Sequence, residues 1–379
     1  MTASVSETRL ARLRSVIAER GMDAFYVRDI SSIQWLTAFD GVFDGEPAHA
    51  LYVDPQRAVL HTDSRYSTAC EAAAVTCGGA VAVDSQRKTH AEFAFDLWVS
   101  REAGEFGAQS EAQLGFGIED SIRLAEYRKL TSIFGNDQRF VETDGLVLGL
   151  RSVKDADEVR RMKAAQAITD AAFAHIVSFM KPGMTEREVQ LELEGFMLRH
   201  GAEGLAFSSI VATGANGANP HAIPGSTRLE AGQCVVLDFG ARALGYCSDM
   251  TRMVFLGQPD LRMSDAYAVL RCANEEVQAF LRPGVVGKEA HELAERILAE
   301  GGYAGKMGHG LGHGVGMEVH EEPVLAPRNG EPLAVGNVVT VEPGIYLPGD
   351  FGMRLEDFGI ITESGFERFT QSTHDMVVI

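Results

Sequence analysis

The chain has no long apolar run, no paired cysteines and no surplus of basic residues, and each lack excludes a class of protein. No stretch approaches the roughly 18 apolar residues of a membrane span. The opening Met1-Thr2-Ala3-Ser4-Val5-Ser6-Glu7 is not expected to act as a signal peptide, because Glu7, Arg9, Arg12, Arg14, Glu19 and Arg20 interrupt the apolar run one would need. The five cysteines (Cys70, Cys77, Cys234, Cys247, Cys272) are odd in number and include no Cys-x-x-Cys pair. They suggest neither a disulfide framework nor a zinc knuckle, and a reducing cytoplasm fits them. With 34 Lys and Arg against 53 Asp and Glu, the formal charge is −19. Such a surface repels nucleic acid and anionic membranes and leaves a small substrate unconstrained. No repeat of fixed period and no low-complexity tract is present.

What is there is enough for two globular domains: 379 residues, 45% of them apolar. Leu10, Leu13, Val16 and Ile17 recur at helical spacing, with Ser6 as the expected cap and Gly21 as the stop. Short β-like runs follow at Ala24 to Val27, Ala50 to Val53 and Ala58 to Leu60, and residues from about 90 to 132 mix helical stretches with glycines. This alternation predicts an α/β domain. A boundary is expected near 145 to 152, before the charged helix that begins Lys154-Asp155-Ala156-Asp157-Glu158. Helices are expected over about 155 to 179, 185 to 200, 263 to 281 and 287 to 300, and strands over about 233 to 242, 245 to 256, 338 to 346 and 352 to 362.

The chemistry concentrates in this second half. Asp238 ends the apolar run Val235-Val236-Leu237, and Asp249 follows it beyond a hairpin turn expected within Arg242-Ala243-Leu244-Gly245, so the two carboxylates should face each other across strands. A lone aspartate there would be an edge or turn residue, but burying one unpaired is costly and a metal would compensate it. His309, His313 and His320 crowd a glycine-rich segment, where odd spacing predicts that His309 and His313 share one face of a strand. Glu342 ends another apolar run, and Glu356 sits beside Arg354, which could orient it. Four carboxylates and one imidazole form a hard ligand set, suited to Mn²⁺, Co²⁺ or Fe²⁺ more than to structural zinc, and able to hold two ions with a water made nucleophilic between them.

These residues resemble the proline-specific pita-bread metallopeptidases, Xaa-Pro aminopeptidase and prolidase. The matching strings are Asn219-Pro220-His221, Leu237-Asp238-Phe239-Gly240, Tyr246 to Arg252, Gly312 to Glu321, Glu342-Pro343-Gly344 and Arg354-Leu355-Glu356-Asp357. Trp35-Leu36-Thr37 and Thr62 to Tyr66 are similar to the family's creatinase-like N-domain. The resemblance implies an α/β creatinase-like domain over residues 1–148, an α+β pita-bread catalytic domain over 149–379, and a homodimer. It implies two divalent ions, manganese first, with cobalt, iron(II) or zinc as alternatives. Asp238 and Asp249 (bidentate, bridging), His313, Glu342 and Glu356 would hold them, and Glu342 would take the proton of the attacking water. His221, His309 and His320 would contact substrate and assist the tetrahedral intermediate or the leaving nitrogen, Arg354 would position the carboxylates, and Tyr246 would stand near the substrate. The implied substrate is a small peptide with proline second.

Two positions depart from the family pattern: Phe358, where many relatives carry an acid, and Ala38, where glycine is frequent. A metal-dependent hydrolase of a small non-peptide amide, ectoine-hydrolase-like or creatinase-like, is the nearest rival on this fold. The intact ligand set disfavours metal-free creatinase, a non-catalytic binding protein and a purely structural metal site. The N-terminal domain disfavours methionine aminopeptidase. Arg228 and Arg242 are conceivable partners for a dipeptide carboxylate, which would separate dipeptidase from aminopeptidase.

Overall fold

The first helix, α1 (Val5–Glu19), starts earlier than expected, with its cap at Ser4 in place of Ser6. The Ser4 hydroxyl accepts from the Glu7 N–H and Glu7 accepts from the Ser4 N–H, a capping box. Ser6 is buried, and its hydroxyl donates to the Leu36 carbonyl at 2.8 Å. The computed structural model describes residues 4–105, 115–135 and 139–379. It divides into two compact units, Met1–Arg151 and Ser152–Ile379.

The first unit continues with β1 (Ala24–Val27), α2 (Ile30–Thr37), β2 (Ala50–Val53), β3 (Ala58–His61), α3 (Ser67–Thr76), β4 (Ala82–Asp84) and α4 (His90–Glu105). It ends with β5 (Phe116–Glu119), α5 (Leu124–Phe134), β6 (Phe140–Thr143) and α6 (Leu146–Arg151). Its strands make one mixed sheet in the order β4-β3-β2-β1-β5-β6, with β1 antiparallel to β2 and parallel to β5. Parallel neighbours need a crossover, which the alternating helices supply. Of the stretch from 90 to 132, residues 106–114 lie outside the described residues.

Ala38 ends α2 in the left-handed region, φ 56° and ψ 30°. A β-carbon strains that conformation by roughly 1–2 kcal/mol. Ala38→Gly is therefore expected to stabilise the protein by about 0.5–1 kcal/mol. Calorimetry would check it, and an unchanged or lowered midpoint would contradict the strain argument.

The second unit opens on α7 (Ala156–Phe179), capped by Asp155 in a reciprocal box with Glu158, and α8 (Glu186–Arg199), capped likewise by Thr185 and Glu188. Then come β7 (Gly204–Leu205), β8 (Ile210–Thr213), β9 (Cys234–Phe239), β10 (Ala241–Ala243), β11 (Tyr246–Cys247) and β12 (Met250–Phe255). After α9 (Leu261–Phe280) and α10 (Gly287–Glu300) follow β13 (Gly312–Gly314), β14 (Glu321–Leu325), β15 (Val338–Val341) and β16 (Gly344–Leu347). The unit closes with β17 (Phe351–Arg354), β18 (Asp357–Thr362), β19 (Gly365–Arg368) and β20 (Val377–Val378). The larger sheets run β20-β12-β9-β8 and β14-β13-β15-β18-β19, and two smaller ones run β11-β10-β7 and β16-β17. Two apolar clusters hold the unit, one joining α7 and α8 to β9 and β12, the other joining α9 and α10 to β15 and β17.

Each long strand expected from the sequence is broken in two where the chain leaves one sheet for another. The breaks fall at Gly240, at Ser248-Asp249, at Glu342-Pro343 and at Leu355-Glu356. Pro343 has no N–H to give a ladder, which makes one break obligatory. All four candidate carboxylates therefore sit at, or next to, a sheet changeover.

Candidate metal centre and its cavity

The Asp238 to Asp249 hairpin turns through Leu244 and Gly245, both at positive φ (51° and 78°). Arg242 pairs with Cys247, and in the same register Asp238 pairs with Thr251. The two carboxylates are thus diagonal neighbours on one side rather than directly opposed, because a two-residue primed turn moves the register on by two. Glu342 follows β15 and Glu356 precedes β18. The buried Asn274 side chain on α9 donates to the carbonyls of Val341 and Leu355, the residues just before each glutamate.

His313 is the middle residue of β13, where its N–H donates to the Thr340 hydroxyl at 3.0 Å. The flanking glycines permit this close fit, since a β-carbon at Gly312 would strike the Thr340 carbonyl and one at Gly314 the Glu322 carbonyl. His309 does not share the strand, as its spacing suggested. It lies before β13 in irregular backbone that includes Gly308 at φ 74°. Both histidines nevertheless line one cavity, of about 590 Å³, together with His221, His320, Asp238, Asp249, Glu342, Arg354 and Glu356.

Ligand atoms of Asp249, His313 and Glu356 all lie within 4.8 Å of one another. His313 Nε2 is 3.6 Å from Asp249 and 3.2 Å from Glu342. Its Nδ1–H donates to the Gly314 carbonyl at 3.0 Å, which fixes the tautomer and leaves Nε2 for the cluster. Arg354 Nη2 donates to Asp238 Oδ2, and Arg354 Nε donates to Thr251 Oγ1, which in turn donates to Glu356 Oε2 at 2.7 Å. The outer oxygens Asp238 Oδ1 and Asp249 Oδ1 are buried without a hydrogen-bond partner.

Burial pushes the Asp249 carboxyl well above its ordinary range, and Glu356 and Asp238 add repulsion. Burial likewise raises Glu356 well above normal, with Glu342 and Asp238 behind it. Asp238 is also raised by burial, which outweighs the pull of Arg354. At Glu342 burial acts upward too, but the hydrogen bond and charge of His313 win and bring it down to about 2. Three carboxyl groups resisting ionisation, two of them with an orphaned oxygen, make a site that fits divalent cations, since leaving such charges uncompensated would cost several kcal/mol. Hard oxygen donors with one imidazole suit Mn²⁺, Co²⁺ or Fe²⁺.

Tyr246 is not brought to the cavity. A buried phenol needs a partner, and Tyr246 donates to Glu158 at 2.8 Å, the capping glutamate of α7. The tyrosine bonded to residues of the cavity is Tyr346, which the sequence pattern did not single out. Its hydroxyl accepts from Arg354 Nη1 at 2.8 Å and donates to His309 Nε2 at 3.0 Å, while His309 Nδ1–H donates to the Gly310 carbonyl. The available signal was Gly344, opposite Arg354 in the β16–β17 pair: a β-carbon there would meet the Tyr346 ring at 2.6 Å. His309 therefore has both ring nitrogens occupied, and burial lowers its pKa. Phe358 packs on Phe369 and does not line the cavity.

With this geometry in place, comparison with known proteins decides the family. The family described as "Metallopeptidase family M24" matches residues 160–363, and the "Creatinase/Prolidase N-terminal domain" matches residues 9–153. The chain belongs to metallopeptidase family M24. The metallopeptidase is 35% identical over 374 residues to the Bacillus subtilis (strain 168) protein named uncharacterized peptidase YqhT, covering 98% of this chain and 100% of that one. It superposes on the Xaa-Pro dipeptidase from Bacillus anthracis with a TM-score of 0.87 at 35% identity, covering 99% and 100% of the two chains. It superposes on the X-Pro aminopeptidase from Thermotoga maritima MSB8 with a TM-score of 0.83 at 32% identity, covering 98% and 100%. The metallopeptidase thus has a creatinase-type N-terminal domain and a pita-bread catalytic domain, and its family implies divalent metal ions. Among the described residues no helix is long and apolar enough to cross a membrane.

Proposed function

We propose that this metallopeptidase hydrolyses the bond between an N-terminal residue and a following proline. The observation that carries this reading is the buried acidic cluster opening on the cavity lined by His221 and His320, and likeness to proteins named for Xaa-Pro cleavage supports it. Asp238, Asp249, His313, Glu342 and Glu356 are the proposed ligands of two divalent ions. When bound, such ions make water nucleophilic at neutral pH and polarise the scissile carbonyl. Glu342 takes the proton from the attacking water. His221 and His320 have no hydrogen bond to their ring nitrogens among the described residues, so their N–H groups are free to meet the carbonyl oxygen or supply the leaving proline nitrogen. Arg354 holds Asp238 directly and Glu356 through Thr251. It also donates to the Pro220 carbonyl, which ties down the segment carrying His221. Manganese as the ion and a homodimer rest on the family resemblance, and a cytoplasmic setting rests on the cysteine pattern.

Arg228 and Arg242 do not line the cavity; Arg187 and Arg328 do. Either of these can meet the terminal carboxylate of a short peptide. The test is hydrolysis of Xaa-Pro dipeptides and Xaa-Pro-Yaa tripeptides by metal-stripped protein reloaded with Mn²⁺, Co²⁺ or Zn²⁺. Metal-dependent release of the first residue, with no cleavage of Xaa-Ala controls, is expected. Turnover of dipeptides alone makes the enzyme a dipeptidase, and turnover of tripeptides makes it an aminopeptidase. Failure on both with every ion would overturn the proline reading and favour a small-amide hydrolase.

A further inference from the structure

His320 lines the cavity with little to hold its ring. It is exposed to the cavity, its ring nitrogens have no hydrogen bond among the described residues, and its side-chain contact is the edge of the His313 ring, 4.4 Å between centroids. The position of its ring is therefore set by the backbone from Val315 to Glu321, most of which is irregular. That backbone has an unusual anchor. Glu321, next to His320, pairs with Lys154 at 3.0 Å, and each side chain is only 1% exposed. The other Glu321 oxygen accepts from the Glu318 N–H at 3.1 Å, closing the loop on itself. Gly316 lies against the same carboxylate, and a β-carbon there would come within 2.6 Å of the Glu321 carboxyl carbon. The Gly316 carbonyl accepts from the Cys247 N–H at 2.8 Å, so the loop is also tied to the hairpin that carries Asp249.

Lys154 is itself fixed from the other side. Its N–H donates to the Gly336 carbonyl at 2.8 Å, and the neighbouring Val153 bridges Asn337 just before β15, the strand that leads to Glu342. A buried pair of this kind is a poor source of net stability, because desolvation offsets its attraction. A directional role explains it better. We infer that Lys154, through its buried ion pair with Glu321, is a positioning residue that holds the His320 imidazole beside His313, where it meets the substrate's carbonyl oxygen or leaving nitrogen. The inference rests on the Xaa-Pro reading for its kinetic test but not for its geometry.

The experiment compares the parent with Lys154→Met, Glu321→Gln and the double variant Lys154→Met/Glu321→Gln, all loaded with Mn²⁺. Either single change leaves one buried charge unpaired and is expected to lower thermal stability. The double variant removes both charges and is expected to recover the parent's thermal midpoint and Mn²⁺ content, yet to keep a kcat loss of roughly ten- to hundredfold. In that background His320→Ala should have little further effect, whereas in the parent it should give most of the same loss. The His320 imidazole signal in nuclear magnetic resonance, recorded on protein loaded with diamagnetic Zn²⁺ because Mn²⁺ would broaden it away and identified by its disappearance in His320→Ala, should shift in the double variant while that of His221 stays in place. A double variant with parental kcat, a full additional loss on His320→Ala, an unmoved His320 signal, or failure of the double variant to fold would each overturn the assignment and leave the pair a structural one. If the parent cleaves no Xaa-Pro peptide, the functional reading fails and the His320 signal alone decides this one.

Discussion

Glu342→Gln lowers kcat for Xaa-Pro cleavage by roughly 10²- to 10⁴-fold, the usual contribution of a positioned general base. The substitution keeps the side chain's shape and an acceptor for the Thr340 hydroxyl, now 3.2 Å from Glu342 Oε1. A carboxyl held at about 2 would be a weak base, and that value follows from His313 donating Nε2–H to Glu342. The same nitrogen cannot both carry that proton and coordinate an ion. With ions bound, His313 Nε2 would be a ligand and could no longer donate to Glu342, and the ions' own charge would become the largest influence on that carboxylate, so the value of about 2 belongs to the metal-free site. Steady-state kinetics at saturating metal, with bound metal quantified in both proteins, measure the effect. A variant that keeps its metal and retains activity within about threefold of the parent would remove Glu342 from the proton transfer.

Much of the second unit was legible because its chemistry is local. Helix α10 occupies the expected 287 to 300, and α7 begins one residue inside its expected span because Asp155 is the cap. What the sequence obscured was every feature set by a neighbour distant along the chain. Ser4 and Ser6 are equally plausible caps until the Leu36 carbonyl claims one of them. The apolar run from 338 to 346 looks continuous, since a strand that changes sheets keeps the same residue types on both sides of the break. The hairpin register depended on Leu244 taking a positive φ, which an apolar side chain gives no reason to expect. Tyr246 and Tyr346 differ in role only through their partners, Glu158 for one and Arg354 with His309 for the other. The candidate ligands themselves were easier to see, since acids ending apolar strands conflict with burial unless something compensates them.

That conflict gives the second large effect: metal-stripped protein loses stability as pH rises, and added Mn²⁺ restores it increasingly at higher pH. Asp238, Asp249 and Glu356 have raised folded pKa values, so above the ordinary carboxylate range near 4 the folded state binds more protons than the unfolded chain. The slope of stability with pH is then negative over the window in which they ionise. His313, also raised, contributes in the same sense: its stabilisation is complete below the ordinary imidazole pKa and is lost as pH climbs through the folded value. Glu342 is shifted the other way, and its contribution is lost only on acidification from about 4 toward 2. Metal ions bind the deprotonated ligands and so compete with exactly those protons that the folded site retains. At ion concentrations about 100-fold above Kd the gain is about 2.7 kcal/mol, on the order of 5–10 °C for a unit of this size. Thermal melts with and without Mn²⁺ at about pH 5.5 and about pH 8 should show the larger shift at the higher pH, and Asp249→Asn combined with Glu356→Gln should abolish the difference. Equal shifts at the two pH values would mean that the acidic cluster is not what holds the ion.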